Sequence, residues 1–72
     1  MTAADFAARA RRREPVVGYW ITLDSPLLTE RLAGAGFDYV VLDSQHGELD
    51  GRGQQAGLLA VDAAGAAGVI VP

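Results

Sequence analysis

Hydrophobic residues of the chain concentrate in three short runs, separated by stretches with helical spacing. The runs are residues 16–22 (VVGYWIT), Tyr39–Leu42 and Val69–Val71. They are rich in β-branched and aromatic residues and are apolar almost throughout, without polar alternation. Such runs predict strands that are buried on both faces, as in a parallel sheet.

Residues 3–13 predict a first helix, because alanine and arginine are good helix formers. Thr2 suits the N-cap, Phe6 supplies an apolar face, and Arg9 and the arginines that follow it are expected on exposed sides. Pro15 disfavours helical backbone at the preceding residue and ends the element.

Ser25 and Pro26 predict the start of a second helix, as N-cap and first helical residue. Leu28, Leu32 and Ala35 recur with helical spacing and predict its buried stripe. Gly36 suits the left-handed residue that often follows a helix.

A third helix is predicted over residues 54–64, with residues 50–53 (DGRG) as a turn before it. Helices and strands then alternate, which predicts a parallel α/β sheet with right-handed crossovers. Three strands are too few to close a sheet or cover its edges. We therefore expect residues 1–72 to form part of a larger α/β domain.

Composition narrows the class of protein. The 72 residues include no cysteine, which excludes a disulfide framework and a thiolate metal site. The net charge of -3 disfavours nucleic acid as a partner. The longest uncharged stretch, residues 63–72, is too short to span a membrane. The sequence predicts a cytoplasmic protein with neither a nucleic-acid nor a membrane partner.

The tetrad Asp43-Ser44-Gln45-His46 follows the second predicted strand. Active sites of parallel α/β folds lie at the carboxyl ends of the strands. His46 is the only histidine, and Asp43 is near enough to accept a hydrogen bond from its ring, as suits a general base. The alternative is that Asp43 caps the following turn while His46 is a solvated loop residue, and spacing alone leaves both open.

Other residues give weaker signals. Trp20 lies in the first predicted strand, where it either packs in the core or forms the wall of a substrate pocket. Glu48 and Asp50 are acidic neighbours in a loop but lack a third ligand, so they predict no metal site. Residues 51–53 before a helix can hold an anion, although a flexible turn is the simpler interpretation.

Several motifs together resemble one family. They are residues 18–20 (GYW), Ser25-Pro26 with Glu30, the run 33–43 (AGAGFDYVVLD), and His46-Gly47. In this order they resemble the N-terminal third of the HpcH/HpaI-type metal-dependent pyruvate aldolases. That family includes 4-hydroxy-2-oxo-heptanedioate and 2-dehydro-3-deoxy-glucarate aldolases. The resemblance is specific over residues 16–50.

The resemblance implies the first βα units of a (β/α)₈ barrel of the phosphoenolpyruvate/pyruvate type, in a homo-oligomer. It implies a lyase that cleaves a small 4-hydroxy-2-oxo acid to pyruvate and an aldehyde, with a divalent Mg, Mn or Co ion. By the same resemblance His46 is the general base and Asp43 supports it. Trp20 is a separate candidate for substrate contact, because of its place in the first predicted strand. Gln45 stands where the family usually has glutamate.

The chain also departs from the family's pattern. The family's metal ligands, a glutamate and an aspartate, come from later strands that are absent from this chain. The family's third-strand arginine is expected near residues 69–71, yet no arginine follows Arg52. Residues 61–72 resemble the family's fourth-strand motif at third-strand spacing. We therefore expect a truncated or internally deleted barrel domain over residues 1–72, inactive by itself.

Two alternatives remain open. One is a fragment of a related barrel enzyme that resembles the citrate-lyase β subunit and acts on an acyl-CoA. That function requires basic residues for the CoA phosphates, and none follows Arg52. The other alternative is a non-catalytic remnant or oligomerisation piece, which the missing ligands and arginine favour.

Overall fold

A computed structural model describes residues 1–72, and in it three helices alternate with three strands. The elements are α1 (Ala3–Arg11), β1 (Gly18–Ile21), α2 (Pro26–Ala33), β2 (Tyr39–Asp43), α3 (Gly51–Ala63) and β3 (Ala67–Val71). The strands form one parallel sheet in the order β1-β2-β3. The predicted α/β fold class with a parallel sheet is confirmed. None of the helices has the length and hydropathy needed to span a bilayer.

One face of the sheet holds the hydrophobic core. Alternate strand residues pack with one residue from α2, one from α3 and one from the loop before α3. The six are Ile21, Val40, Leu42, Ala33, Val61 and Leu49. Val40 and Leu42 are completely buried. Gly57 lets α3 lie close to β2, because a Cβ there would come within 2.8 Å of the Leu42 side chain.

We call the opposite face of the sheet, which holds no residue of the core cluster, the open face. Trp20, Val41 and Val69 are neighbours in the strand register and point to this face, away from the core. Trp20 is 57% exposed. The sheet therefore has one face covered by α2 and α3 and one face without a helical layer.

Helix α1 lies at the amino ends of the strands. Phe6 packs on Tyr39 with their ring centroids 4.9 Å apart. Arg9 donates to the Asp38 carboxylate at 2.8 Å, and the other oxygen of Asp38 accepts the Val17 N–H at 2.8 Å. The expectation of an exposed Arg9 is wrong, because the ion pair draws this side chain toward the loop before β2.

The first helix begins as predicted, and the third begins earlier. Thr2 and Asp5 form a reciprocal capping box at the start of α1. Asp50 accepts the Gly53 N–H at 2.8 Å and serves as the N-cap of α3. Residues 51–53 are therefore helical, and the predicted turn there is wrong, because the aspartate supplies the missing acceptor for a glycine-rich first turn.

The predicted buried stripe of α2 is shifted. Thr29 and Ala33 are the buried residues of this helix. Of the predicted stripe, Leu32 is partly buried against the core, Leu28 is 37% exposed and Ala35 lies beyond the helix end. Leucines on two sides of this short helix define two possible stripes, and packing against the sheet and α3 selects the one with smaller residues. Gly36 does adopt the predicted left-handed backbone, with φ of 105°.

Candidate functional site

The loop after β2 is fixed to both neighbouring strands. The Ser44 N–H donates to the Val71 carbonyl at 2.8 Å, at the end of β3. The Glu48 N–H donates to the Thr22 carbonyl at 2.7 Å, just past the end of β1. The predicted tetrad therefore lies at the carboxyl edge of the sheet, held from both sides.

Gly47 allows this loop to fold back on the strands. A Cβ at this position would collide with the Asp43 carbonyl oxygen and would lie 2.9 Å from the Thr22 carbonyl oxygen. Any other residue would push the loop away from β1, so the His46-Gly47 pair has a steric basis in the fold.

Asp43 is the buried charge of the site, with 4% of its surface exposed. Its Oδ1 accepts the main-chain N–H groups of Gln45 at 2.9 Å and His46 at 3.0 Å. Its Oδ2 accepts the indole N–H of Trp20 at 2.9 Å. The His46 N–H, followed by the Trp20 indole, holds the pKa of Asp43 below its ordinary value. The carboxylate is thus kept ionised by donors.

His46 is exposed, and its ring makes no hydrogen bond within the chain. Asp43 accepts the main-chain N–H of His46 and so caps the turn, as the alternative interpretation of the tetrad predicted. The ring is left free to meet a molecule at the carboxyl edge. Whether it acts as a base remains a prediction.

Trp20 is brought to Asp43 but shares no pocket with His46. A pocket of about 180 Å³ beside β1 is lined by Trp20 and six other residues, and neither Asp43 nor His46 is among them. The structure therefore joins the side chains of Trp20 and Asp43 directly, and it connects His46 to Asp43 through the His46 main chain.

Two further contacts of the site have no signature in the sequence. Gln54, in the first turns of α3, donates its amide to the Ser44 hydroxyl. Asp24 lies against Gly53, where a Cβ would come within 2.8 Å of its carboxylate. Both contacts join elements that are distant along the chain, so local spacing could not reveal them. Together they connect the start of α3 to the loops that follow β1 and β2.

The residues of this chain do not fit a divalent metal ion. No three histidine or acidic side chains are grouped as ligands. The Asp43 oxygens already accept three N–H groups, so this carboxylate is used within the protein. Glu48 and Asp50 are not joined by a third ligand.

Among solved structures, the chain matches a variant of the citrate synthase SbnG. The TM-score is 0.77 at 25% identity, over 89% of this chain and 28% of that chain. The predicted fold class, the βα units of a TIM-type barrel, is thus confirmed.

Curated relatives identify the kind of enzyme that the sequence resembles. A hydroxypyruvate/pyruvate aldolase of Deinococcus radiodurans is 40% identical over 58 residues, which are 81% of this chain and 21% of the relative. A 4-hydroxy-2-oxo-heptane-1,7-dioate aldolase of Escherichia coli is 42% identical over 41 residues, 57% of this chain and 16% of the relative. No protein-family model matches the chain.

The resemblance to the HpcH/HpaI-type pyruvate aldolases is therefore confirmed. A 5-keto-4-deoxy-D-glucarate aldolase of an Enterobacter strain agrees with it, at 44% identity over 45 residues, 62% of this chain and 18% of the relative. The chain spans about a fifth of the length of the curated relatives it matches.

Proposed function

We propose that residues 1–72 supply the first βα units of an aldolase barrel that cleaves 4-hydroxy-2-oxo acids to pyruvate and an aldehyde. The aldolase relatives support this reaction class, and the structural match supports the barrel fold. The observation that carries the proposal is an exposed His46 on a turn fixed to the carboxyl edge by the buried Asp43.

In this proposal His46 is the general base. Its neutral ring takes the proton of the substrate 4-hydroxyl while the C3–C4 bond breaks. The hydroxyl carbon becomes the aldehyde carbonyl, and the electrons of the broken bond form the enolate of pyruvate. Protonation of C3 then completes pyruvate. Asp43 contributes by holding the main chain of His46, since its carboxylate binds the turn and not the ring.

The family's divalent ion has no place among the residues of this chain. No three ligand-type side chains are grouped, and Asp43 already accepts three N–H groups of the protein. We therefore assign no residue here to metal binding. The chain by itself is expected to be inactive.

A chimeric barrel tests the proposal. The segment of the Deinococcus radiodurans aldolase matched over 58 residues is replaced by the corresponding residues of this chain. We expect pyruvate release from 4-hydroxy-2-oxo acids, and a loss of roughly 10²–10⁴-fold in kcat with His46→Ala. Glu48→Gln, at an exposed position of the same loop, is the matched control and should leave kcat unchanged.

A folded chimera without activity, beside an active parent enzyme, would contradict the proposal. So would a His46→Ala chimera with normal kcat. For the 72-residue chain alone, metal-dependent pyruvate release above a His46→Ala control would show that the expected inactivity is wrong.

A second candidate function rests on the structural match to a citrate synthase. It would place carbon–carbon bond chemistry on a larger carboxylate or an acyl-CoA at the same edge. The same chimera discriminates the two candidates, because activity with an acyl-CoA and none with 4-hydroxy-2-oxo acids would favour this one.

A further inference from the structure

We propose that Trp20 is a positioning residue, which fixes Asp43 and through it the turn that presents His46. This inference deepens the proposed function and rests on it for its catalytic consequence. It differs from both sequence interpretations of Trp20, which were core packing and direct substrate contact.

The two oxygens of Asp43 have separate tasks. Oδ1 accepts the Gln45 and His46 main-chain N–H groups and so closes the turn. Oδ2 accepts the Trp20 indole N–H at 2.9 Å, across the gap between two strands. Trp20 lies beside Val41 in the register, so its side chain reaches forward along the open face to Asp43. The indole thereby fixes the rotation of the carboxylate that caps the turn.

Trp20 is the only side chain that donates to this buried carboxylate. No cation forms a salt bridge with Asp43, since all three ion pairs of the chain lie at Arg9 or Arg12. A buried charge without a cation depends on its hydrogen-bond donors. Loss of the indole N–H would leave Oδ2 without a donor from the protein. The carboxylate would then turn toward water or take up a proton, and the turn would loosen.

Exposure distinguishes this role from core packing. The Trp20 side chain is 57% exposed and belongs to no core cluster. Its pocket beside β1 includes neither Asp43 nor His46, and the one hydrogen bond of its side chain is to Asp43.

The first test uses the single tryptophan and single histidine of the 72-residue chain. NMR follows the indole N–H of Trp20 and the main-chain N–H of His46 while the pH is lowered. We expect both resonances to shift in one step, below the ordinary titration range of aspartate. Asp43→Asn should abolish the step. In Trp20→Phe, the step seen at the His46 main-chain N–H should move to higher pH. The reason is that one donor that stabilises the ionised Asp43 carboxylate is lost.

Tyr19→Phe is the matched control, since Tyr19 precedes Trp20 in β1 and faces the other side of the sheet. It should leave both resonances unchanged. An indole resonance that does not titrate, or that titrates equally in Asp43→Asn, contradicts the proposal. A chain with no fixed structure around Trp20 gives the same contradicting result.

The second test measures kinetics in the chimeric aldolase. We expect Trp20→Phe to lower kcat about tenfold and to change KM by less than about twofold, because the substrate is not its partner. A rise in KM with unchanged kcat would instead indicate substrate contact and overturn the proposal. If the chimera is inactive but the NMR step is present, the aldolase function fails while the link from Trp20 to the turn stands. If the chimera is active and the step is absent, the positioning role fails.

Discussion

Two aspartates flank β2, one at each edge of the sheet, and they are stabilised differently. Asp38, just before the strand, is paired with Arg9 at 2.8 Å and accepts the Val17 N–H. Asp43, the last residue of the strand, has only N–H donors and no ion pair. The amino edge is closed by α1 and its charge is neutralised. The carboxyl edge keeps a carboxylate without a cation, in the same turn as an exposed histidine whose ring makes no hydrogen bond within the chain.

The largest loss of stability is expected from Gly47→Ala, which changes the carboxyl edge and leaves the amino edge intact. The new Cβ would collide with the Asp43 carbonyl oxygen, so the loop must move. We expect a loss of about 1–3 kcal/mol in the free energy of unfolding, as for other overpacked sites. Gly51→Ala is the control, because its Cβ meets nothing within 4 Å and alanine favours the helix. Urea unfolding of both variants measures the difference, and equal midpoints would refute the steric role of Gly47.

The amino edge should respond in stability and not in catalysis. Arg9→Met keeps most of the aliphatic stem but removes the ion pair with Asp38 and the hydrogen bond to the Pro15 carbonyl. We expect a smaller loss of unfolding free energy than for Gly47→Ala, and unchanged kcat in the chimeric aldolase. A fall in kcat with retained stability would contradict this expectation and would show that the two edges of the sheet are coupled.

Acid should weaken both edges. The pKa of Asp38 is lowered by the Val17 N–H first and then by Arg9, and the pKa of Asp43 by the His46 N–H first and then by Trp20. A lowered folded pKa gives stability that is present above the ordinary value of 3.8 and is lost as the pH falls through the folded value. Urea midpoints between neutral and strongly acidic pH should therefore fall, and Asp38→Asn or Asp43→Asn should flatten the fall. Unchanged pH dependence in both variants would contradict these assignments.

The smallest effect is expected at the exposed pair of Arg12 and Glu14. Their charged atoms are 2.9 Å apart, with side chains 60% and 43% exposed. Such pairs contribute little because water screens them, so Arg12→Ala should change the free energy of unfolding by less than about 1 kcal/mol. Urea unfolding checks this, and a loss as large as that of Gly47→Ala would mean that the pair anchors α1.

Much of the fold could be predicted because the apolar runs are unambiguous. Continuous β-branched and aromatic residues identify β1 and β2, and the Ser25-Pro26 pair identifies the start of α2. Element ends were less predictable. Asp50 serves equally well as a turn residue and as an N-cap, and only the position of α3 in the fold decides between them.

The site shows the same limit. The position of the tetrad at the carboxyl edge follows from strand order, so Asp43 and His46 could be placed there from the sequence. The sequence could not show which group of His46 contacts the Asp43 carboxylate, because the same spacing permits a hydrogen bond from the ring or from the main chain. The Trp20 contact spans 23 positions and depends on the strand register, which no local pattern encodes.

Chemical rescue of His46→Ala in the chimeric aldolase tests the central claim most directly. We predict that kcat falls by roughly 10²–10⁴-fold, that inhibition by pyruvate is retained, and that added imidazole restores part of kcat in proportion to its concentration. This pattern is expected if His46 supplies a proton acceptor and not a binding contact. Unchanged kcat in the variant, or a loss of pyruvate inhibition that imidazole does not restore, would contradict the role of His46 as the base.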